Sequence, residues 1–278
     1  MKKIAVIQDI SGLGRCSLAA ALPVLSVLGT QALPVPTAVY TNQTGFPRFE
    51  VHNCEALLKK YPSLWQQHSV VLDGIYTGFM ASQEQLAAAQ AIIDAFRQNN
   101  TLVLIDPVMG DNGQRYPEFD EKLCHAIASF AMQADVITPN VTEAHLLVGQ
   151  DVQPFLRAPP PEQETMLQAL CEALPQPQVI ITGWRRGEHV CNFAWAHGAF
   201  KIYASPAVAG SYSGTGDLFA SAVCGGLVNG DGLDASICRA MRFLEAALQD
   251  AAAQKLPEEH GIPFENHLKE LLYYNEKK

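Results

Sequence analysis

Short apolar runs and longer amphipathic segments alternate along most of the chain. Residues 4–7 and 101–105 are nearly continuous apolar runs, which are typical of strands buried on both faces of a parallel sheet. Residues 82–98 instead carry apolar side chains at helical spacing, with Ser82 placed to cap the helix. This alternation predicts an α/β fold with a mostly parallel central sheet and helices on both faces.

The other predicted elements continue the same pattern. Further strands are predicted at residues 69–73, 135–138, 178–182, 188–195 and 199–203, and further helices at 18–28, 118–132, 142–148, 162–174, 234–254 and 265–274. His197-Gly198 is predicted to join the last two strands as a hairpin. Because no repeat or low-complexity linker interrupts the pattern, residues 1–278 are predicted to form one domain.

One segment departs from the pattern. Residues 40–49 (YTNQTGFPRF, the flap segment) are polar and aromatic, with Gly45 and Pro47, and lie between a strand and a helix predicted to start near His52. Such a segment is interpreted either as a flap that closes over a substrate or as an ordinary surface connection. The pattern alone leaves both readings open.

Composition narrows the class of protein. With 278 residues, 48% of them hydrophobic, the chain is long enough to bury one large core. A net charge of −9 without a basic run disfavours nucleic acid as a partner. Seven scattered cysteines without a CxxC pair are typical of reduced thiols. The amino-terminal apolar run is too short for a signal peptide or a membrane span, so a cytoplasmic protein without a membrane partner is predicted.

Two phosphate-binding motifs are disfavoured. The SGLG turn (residues 11–14) follows the first strand, but Ser17 stands where a dinucleotide fingerprint has its third glycine. No acidic residue ends the next apolar run, so NAD binding is disfavoured, although we expect the turn to bring backbone close to a small ligand. No GxxxxGK[ST] motif occurs, which excludes a P-loop kinase.

A second glycine motif opens a predicted helix. Gly214-Thr215-Gly216 (the glycine cradle) precedes an apolar helical segment, so its backbone N–H groups and the helix dipole can bind an anion. Asp217 follows at once, where it would repel a phosphate. It is interpreted either as a base that deprotonates an attacking hydroxyl or as the N-cap of the helix.

Polar side chains end several predicted strands, and the carboxyl ends of parallel strands share one edge. The set consists of Asp9, Asp73, Asp106, Asn140 with Glu143, and Thr182. Carboxylates beside a phosphate cradle are what Mg²⁺ requires, since it keeps most of its waters and takes one or two carboxylates plus phosphate oxygens. Glu143 has an alternative role in a capping box with Asn140 or Thr142 as the cap.

Taken together, these motifs resemble the ribokinase-like superfamily, and within it the pyridoxal (pyridoxine, pyridoxamine) kinases. The similar segments are VIQD (6–9), TNQTGF (41–46), DPVMGDNG (106–113), ITPNVTEAHLL (137–147), VIITG (179–183) and SGTGDLFAS (213–221). They cover almost the whole chain in family order. The resemblance implies a three-layer α/β/α fold with a small substrate flap. It also implies ATP-dependent phosphorylation of the 5′-hydroxymethyl group of a vitamin B6 vitamer (pyridoxal, pyridoxine or pyridoxamine).

The resemblance assigns roles residue by residue. Asp217 would be the general base, and Gly214, Thr215 and Gly216 would form the anion hole for the transferred phosphoryl group. Asp106 and Glu143 would hold Mg²⁺, partly through water. The implied nucleotide-binding set is Asp106, Asn140, Glu143, Thr182, Ser213, Gly214 and Gly216. The implied vitamer-binding set is Asp9, Tyr40, Thr44, Phe79 and Asp217.

Some points stay open beside the resemblance. Many family members have a serine where this chain has Asp9, which could pair with a protonated pyridine nitrogen or face Ser11 and Arg15 instead. Relatives of this fold often dimerise, so a homodimer is expected, and the use of a monovalent cation (K⁺) beside Mg²⁺ and ATP is left open. The alternatives in function are a hydroxymethylpyrimidine kinase of thiamine synthesis and a non-catalytic vitamer-binding protein.

Overall fold

A nine-stranded sheet forms the centre of the computed structural model, which describes residues 1–272. The strands are β1 (Lys3–Ser11), β2 (Gln31–Tyr40), β3 (Val51–Asn53), β4 (Gly74–Thr77), β5 (Leu102–Ile105), β6 (Gly110–Asp111), β7 (Gln114–Arg115), β8 (Val136–Ile137), β9 (Gln178–Arg186), β10 (His189–Ala196) and β11 (Ala199–Pro206). The sheet order is β11-β10-β9-β8-β5-β4-β1-β2-β3, and β6 and β7 form a separate two-stranded hairpin.

Ten α-helices are assigned in the described residues. They are α1 (Ser17–Val27), α2 (Glu55–Leu58), α3 (Tyr61–Gln67), α4 (Gln83–Phe96), α5 (Glu121–Ala131), α6 (Val141–Leu147), α7 (Gln153–Arg157), α8 (Pro160–Ala173), α9 (Thr215–Val228) and α10 (Leu233–Gln254), and two 3₁₀ helices follow at Glu258–His260 and Phe264–Leu271. The predicted helix at 265–274 is therefore a 3₁₀ helix as far as Leu271, and residues 273 and 274 lie outside the described residues.

The centre of the sheet is parallel and its edges are antiparallel. The strand pairs from β2 through β1, β4, β5 and β8 to β9 are all parallel, whereas β3, β10 and β11 pair antiparallel with their neighbours. Because parallel strands point the same way, their carboxyl ends meet at one edge, where ligands bind in such sheets.

Two apolar cores cover the two faces of the sheet. Alternate residues of β1 supply both, with Ile4 and Val6 in one core and Ala5 and Ile7 in the other. Buried side chains of α1, α9 and α10 pack on the first face, and those of α4, α5 and α8 pack on the second. The predicted mostly parallel sheet with helices on both faces is confirmed.

Several local predictions are confirmed. Ser82 is the N-cap of α4, since its hydroxyl accepts a hydrogen bond from the Gln85 backbone N–H. His197 and Gly198 join β10 to β11, and both have a left-handed φ, of 54° and 78°, as a two-residue hairpin requires. The flap segment is the connection between the antiparallel pair β2 and β3, and it begins at the last residue of β2, Tyr40.

The strand predicted at residues 69–73 is wrong by its whole length. The fourth strand begins at Gly74, and Asp73 precedes it at the amino edge, where the carboxylate accepts hydrogen bonds from Lys2 Nζ (2.8 Å) and the Lys3 backbone N–H (2.9 Å). Asp73 therefore does not belong to the carboxyl-edge set. The carboxyl end of β4 is Thr77, which leads into Gly78 and Phe79. The helix predicted near His52 is likewise wrong at its start, because β3 occupies that position.

No helix of residues 1–272 is both long enough and apolar enough to cross a membrane.

Candidate functional site

The glycine cradle sits at the start of α9, and its first residue has to be glycine. Gly214 is the N-cap of α9 with a left-handed φ of 80°. A Cβ at this position would lie 1.9 Å from the backbone oxygen of Arg15. The close approach of the α9 turn to the chain ahead of α1 is therefore possible only without a side chain. It brings the backbone N–H groups at the start of α9 next to the carboxyl end of β1.

Asp217 is the third residue of α9, and its carboxylate does not cap its own helix. Oδ2 accepts a hydrogen bond of 2.9 Å from the backbone N–H of Ser17, the first residue of α1. The N-cap is Gly214, so the alternative of Asp217 as the N-cap is wrong. Asp217 as a whole residue is partly exposed. The Asp217 carboxylate therefore lies beside the cradle, bonded to the start of α1.

The pKa of Asp217 is raised to about 7. Its largest cause is burial by the surrounding protein, and the negative charge of Asp9 adds to it, while the hydrogen bond from Ser17 lowers the pKa. A carboxyl group with a pKa near neutrality is suited to accept a proton at physiological pH.

Asp106 lies across from the cradle at the end of β5. It is buried, and Oδ1 accepts a hydrogen bond of 3.0 Å from the Thr138 hydroxyl. A Cβ built on Gly216 would lie 3.9 Å from Asp106 Oδ2, so this oxygen faces the cradle. Burial raises the pKa of Asp106 to about 8, and the charge of Asp217 contributes further. The structure thus brings together Asp106, Asp217 and the cradle, as predicted from the strand ends.

Glu143 and Asn140 form the predicted capping box at the start of α6. The Asn140 side chain accepts from the Glu143 backbone N–H (3.0 Å), and Glu143 Oε2 accepts from the Asn140 backbone N–H (2.8 Å). Oε1 accepts a further bond of 3.1 Å from the Met109 backbone N–H. Burial raises the pKa of Glu143 well above its usual range, and Asp106 adds to the rise. Oε1 thus holds the loop after β5, while Oε2 holds the start of α6.

The carboxylates have the chemistry of a magnesium site that shares its ion with a phosphate. Among residues 1–272, no three His, Cys, Asp or Glu side chains converge closely enough to bind a metal by themselves. No Lys or Arg of these residues is among the groups that shift the pKa of Asp106 or Asp217. A cation would therefore relieve uncompensated negative charge here, and Mg²⁺ needs only one or two carboxylates when water and phosphate complete its shell. The residues present fit such an ion.

Asp9 faces two serines. It is buried, its oxygens accept hydrogen bonds from Ser17 Oγ (2.6 Å) and Ser11 Oγ (3.1 Å), and burial raises its pKa. Arg15, one of the partners considered from the sequence, instead pairs with Glu265 at 2.8 Å. Ser17 has a left-handed φ of 50° and links both acids, since its N–H donates to Asp217 and its hydroxyl to Asp9. Strained backbone of this kind is concentrated at functional sites.

An aromatic group lines the edge next to Asp9. The Tyr40 ring lies 5.7 Å from that of Phe49 and 6.5 Å from that of Phe79, measured between centroids. Thr44 is exposed in the flap segment, and Phe46 packs its ring on His260 at 5.3 Å. Tyr40 and Phe79 thus lie together, as predicted, whereas Thr44 stands at the surface.

The remaining predicted residues line the same edge. Thr182 forms an isolated parallel β-bridge with Asn140, and the Thr182 backbone N–H donates to Pro139 O (2.8 Å). The Thr215 hydroxyl donates to Tyr212 O (3.2 Å), and the Ser213 N–H donates to Glu258 O (3.1 Å). All three are partly exposed.

Three features at this edge were missed by sequence reasoning. The first is Ser17, which in the sequence only breaks the dinucleotide fingerprint; its left-handed φ has no signal in the sequence. The second is the contact of Gly12 with the flap segment, since a Cβ there would lie 2.7 Å from Thr41 O. The Gly12 N–H also donates to Tyr40 O (2.9 Å). The third feature is the segment around His260. It contacts Gln43 and Phe46 of the flap segment, although it lies more than 200 residues further along the chain.

Comparison with known proteins finds a matching family and similar solved structures. The family described as phosphomethylpyrimidine kinase matches residues 16–262. A candidate phosphomethylpyrimidine kinase from Bacteroides thetaiotaomicron, solved in a form with pyridoxal, is 33% identical with a TM-score of 0.89, over 99% of this chain and 97% of that one. Pyridoxal kinase from Lactobacillus plantarum is 27% identical with a TM-score of 0.87, over 98% and 97%.

A curated relative agrees with these structures. A candidate pyridoxal kinase from Schizosaccharomyces pombe is 26% identical over 228 residues, which are 78% of this chain and 71% of that protein. The Lactobacillus structure has the same mostly parallel sheet with flanking helices, so the three-layer fold that the motifs implied is confirmed.

Proposed function

We propose, from the premise that this chain belongs to the phosphomethylpyrimidine kinase family, that it transfers the γ-phosphoryl group of ATP to the 5′-hydroxymethyl group of a vitamin B6 vitamer. Members of this family are small-molecule kinases, and the resemblance to pyridoxal kinases is confirmed by the relatives that match. The vitamer, the nucleotide and the residue roles below are proposals for this chain.

The observation that carries the proposal is the pairing of Asp217 with the glycine cradle on one helical turn. A carboxylate with a pKa of about 7 lies in the first turn of α9, whose first backbone N–H groups can bind an anion. A site built only to bind an anion gains nothing from a carboxylate beside it, because the two repel. A site for phosphoryl transfer needs both groups: the carboxylate takes the proton of the incoming hydroxyl, and the backbone N–H groups bind the transferred phosphoryl group.

In the proposed reaction the hydroxymethyl oxygen attacks the γ-phosphorus, and the bond from that phosphorus to the β,γ-bridging oxygen breaks to release ADP. Asp217 takes the hydroxyl proton as the new bond forms. The backbone N–H groups of Gly214, Thr215 and Gly216 stabilise the charge on the transferred phosphoryl oxygens. Ser213 and Thr182 would contact the phosphates.

Mg²⁺ would be held at Asp106 and, through water, at Glu143, where it would supply charge neutralisation for the phosphates when bound. Support comes from the free oxygen of Asp106 that faces the cradle. Asn140 holds the loop between them, because its side-chain amide donates to Gly110 O at 2.8 Å.

The vitamer ring would lie by Tyr40 and Phe79, where the aromatic side chains meet. Asp9 is next to this position and is held by two serine hydroxyls, so its carboxylate could accept from a protonated pyridine nitrogen. The flap segment with Thr44 would close over the ring and exclude water, which limits wasteful hydrolysis of ATP.

A second candidate is hydroxymethylpyrimidine phosphorylation. The matching family is described as phosphomethylpyrimidine kinase, a name that refers to a substrate with the same pyrimidine ring. Hydroxymethylpyrimidine is, like the B6 vitamers, a flat heteroaromatic ring with a hydroxymethyl group. A non-catalytic vitamer-binding protein is the weaker alternative, since binding alone gives no use for a carboxylate with the position and pKa of Asp217.

The proposal is tested with the purified protein and Mg·ATP, by measuring ADP release with pyridoxal, pyridoxine, pyridoxamine and hydroxymethylpyrimidine in parallel. We expect turnover on at least one B6 vitamer with a kcat/KM above that for the pyrimidine. A higher kcat/KM for hydroxymethylpyrimidine would select the second candidate. Vitamer binding without ADP release would select the non-catalytic one.

Replacing Thr44 by alanine should raise the KM for the vitamer while leaving the KM for ATP nearly unchanged. Thr44 stands in the flap segment and has an exposed side chain, so its loss removes a contact made only when the segment closes over the ring. One lost hydrogen bond is worth about 0.5–1.5 kcal/mol, or roughly a 2- to 12-fold rise in KM. Steady-state kinetics with each substrate varied in turn give both constants. An unchanged vitamer KM would remove Thr44 from the site.

A further inference from the structure

Residues 258–265 (the C-terminal strap) return to the carboxyl edge after α10 and are fastened in the core. Ile262 and Phe264 are buried against the face covered by α1, α9 and α10. The 3₁₀ helix at Glu258–His260 and the following Gly261 thus lie in a fixed position, while Glu265 reaches the surface. The proposed chemistry above makes no use of this segment.

The strap holds the flap segment by two contacts. The Gln43 side-chain amide donates to the backbone oxygen of Glu259 at 3.0 Å. The rings of Phe46 and His260 meet edge to face, 5.3 Å between centroids at 68°. Gln43 also orders the flap segment internally, because its Oε1 accepts from the Gly45 backbone N–H at 2.7 Å. The flap segment is therefore attached to the strap at two residues, Gln43 and Phe46.

The same strap holds the chain ahead of α1. The Arg15 Nε–H donates to both oxygens of Glu265, at 2.8 and 3.0 Å, and Nη1 donates to His260 O at 3.4 Å. Arg15 is the residue whose backbone oxygen lies against Gly214, and Ser17, two residues on, donates to Asp217. The Arg15–Glu265 contact thus fixes the chain that positions the proposed base.

A third set of contacts joins the strap to Ser213, the residue just ahead of the glycine cradle. The Ser213 N–H donates to Glu258 O at 3.1 Å. Gly261 has a left-handed φ of 71°, and a Cβ there would lie 3.0 Å from Ser213 O and 2.8 Å from Arg15 Cβ. Because Gly261 has no side chain, the strap can pack closely against both Ser213, just ahead of the glycine cradle, and Arg15, just ahead of α1.

We propose that the C-terminal strap is part of the vitamer site, with His260 and Glu265 as positioning residues that hold the flap segment in place beside the loop that leads to Asp217. The proposal deepens the function proposed above and rests on it for the identity of the ligand. His260 acts through Phe46, and Glu265 acts through Arg15. Neither needs to touch the reacting atoms.

The position of the flap segment can be measured without substrate. Arg48 is exposed within the segment and is followed by Phe49, so trypsin can cleave there when the segment is released. The initial rate of cleavage after Arg48 is measured by mass spectrometry, relative to cleavage after the exposed Arg115 in the β6–β7 hairpin. When local opening is fast compared with cleavage, this ratio follows the population of the open flap segment.

His260→Ala and Glu265→Ala should each raise the Arg48/Arg115 cleavage ratio by about fivefold or more. His260→Phe, which keeps a ring against Phe46, should restore the wild-type ratio. The matched control is Glu270→Ala, because Glu270 lies in the next 3₁₀ helix, pairs with Arg242 at 3.9 Å and is outside the strap. It should leave the ratio within about twofold of wild type. Ratios for both strap variants equal to that of Glu270→Ala would overturn the proposal.

Kinetics on the same proteins test whether the strap serves the vitamer site. We expect the two strap variants to raise the vitamer KM and the ATP hydrolysed per vitamer phosphorylated, with the KM for ATP unchanged and with His260→Phe as rescue. A changed cleavage ratio with unchanged vitamer KM would overturn the role in the site. If the wild-type protein phosphorylates no vitamer, the proposed function fails, whereas the cleavage ratio still decides whether the strap holds the flap segment.

Discussion

Replacing Asp217 by asparagine should lower kcat by about 10²–10⁴-fold, which is the usual contribution of a positioned general base. Asparagine has the same shape and can still accept the hydrogen bond from the Ser17 N–H at the place where Oδ2 lies at 2.9 Å. The local structure is therefore retained, while the group that takes the proton is lost. The measurement is kcat at saturating vitamer and Mg·ATP, with ATP affinity determined separately by direct binding.

Asp234→Asn is the matched control, because Asp234 also lies in the first turn of a helix, α10, outside the site. Both replacements exchange a carboxylate for its amide in the first turn of a helix, so the size and the position of the change are matched. The control should keep its kcat. If Asp217→Asn retained turnover within about threefold of wild type, Asp217 could not be the base, since that ratio is far below the contribution of proton transfer.

The pH profile gives the same prediction a second measurement. A base works only when deprotonated, so kcat/KM of the wild type should fall as the pH drops through the pKa of Asp217, about 7 in the free protein. Burial and the charge of Asp9 both raise that pKa, so the loss sets in well above the ordinary range of an aspartate. The residual activity of Asp217→Asn should lack this acid limb. An unchanged limb in the variant would assign it to another group.

The general fold was predictable because each strand of the central sheet is buried on both faces. Side chains of β1 point alternately into the two cores, so the strand reads as an unbroken apolar run. The same criterion failed at β4, because residues 69–73 contain Val70, Val71 and Leu72 but precede the strand, while Gly74–Thr77 has only one aliphatic residue. Glycine fits there because a Cβ at Gly74 would lie 2.7 Å from Val228. That tertiary contact leaves no local signal.

The acidic residues of the site were predictable for a different reason. Asp106 follows its strand directly, and Asp217 follows a glycine motif, so local order alone places each of them at the carboxyl edge. What local order cannot show is which backbone group meets which carboxylate. The Ser17–Asp217 bond joins residues 200 positions apart, and the Arg15–Glu265 pair joins residues 250 apart. Such contacts depend on how α1, α9 and the strap pack, which no motif encodes.

Replacing Gly214 by alanine should lower kcat by about 10²-fold or more, since the anion hole depends on backbone geometry that alanine cannot adopt here. The left-handed φ of 80° costs a non-glycine residue about 1–2 kcal/mol, and the added Cβ would lie 1.9 Å from Arg15 O. The turn has to move, which displaces the N–H groups from the transferred phosphoryl group. Loss of one such donor costs about 10²–10³ in kcat. The measurements are kcat and the free energy of unfolding.

Gly230→Ala separates the two causes, because Gly230 lies just beyond the other end of α9 with a φ of 93° and nothing within 4 Å of an added Cβ. Gly230→Ala should lower the free energy of unfolding by about 1–2 kcal/mol, because alanine has to adopt the left-handed φ, yet it should keep kcat near wild type. Gly214→Ala should lose stability by the same amount or more and lose turnover as well, because only there does the strain fall on the cradle. Equal kcat values for the two variants would mean that the position of the Gly214 backbone does not matter for phosphoryl transfer, and the cradle would lose its proposed role.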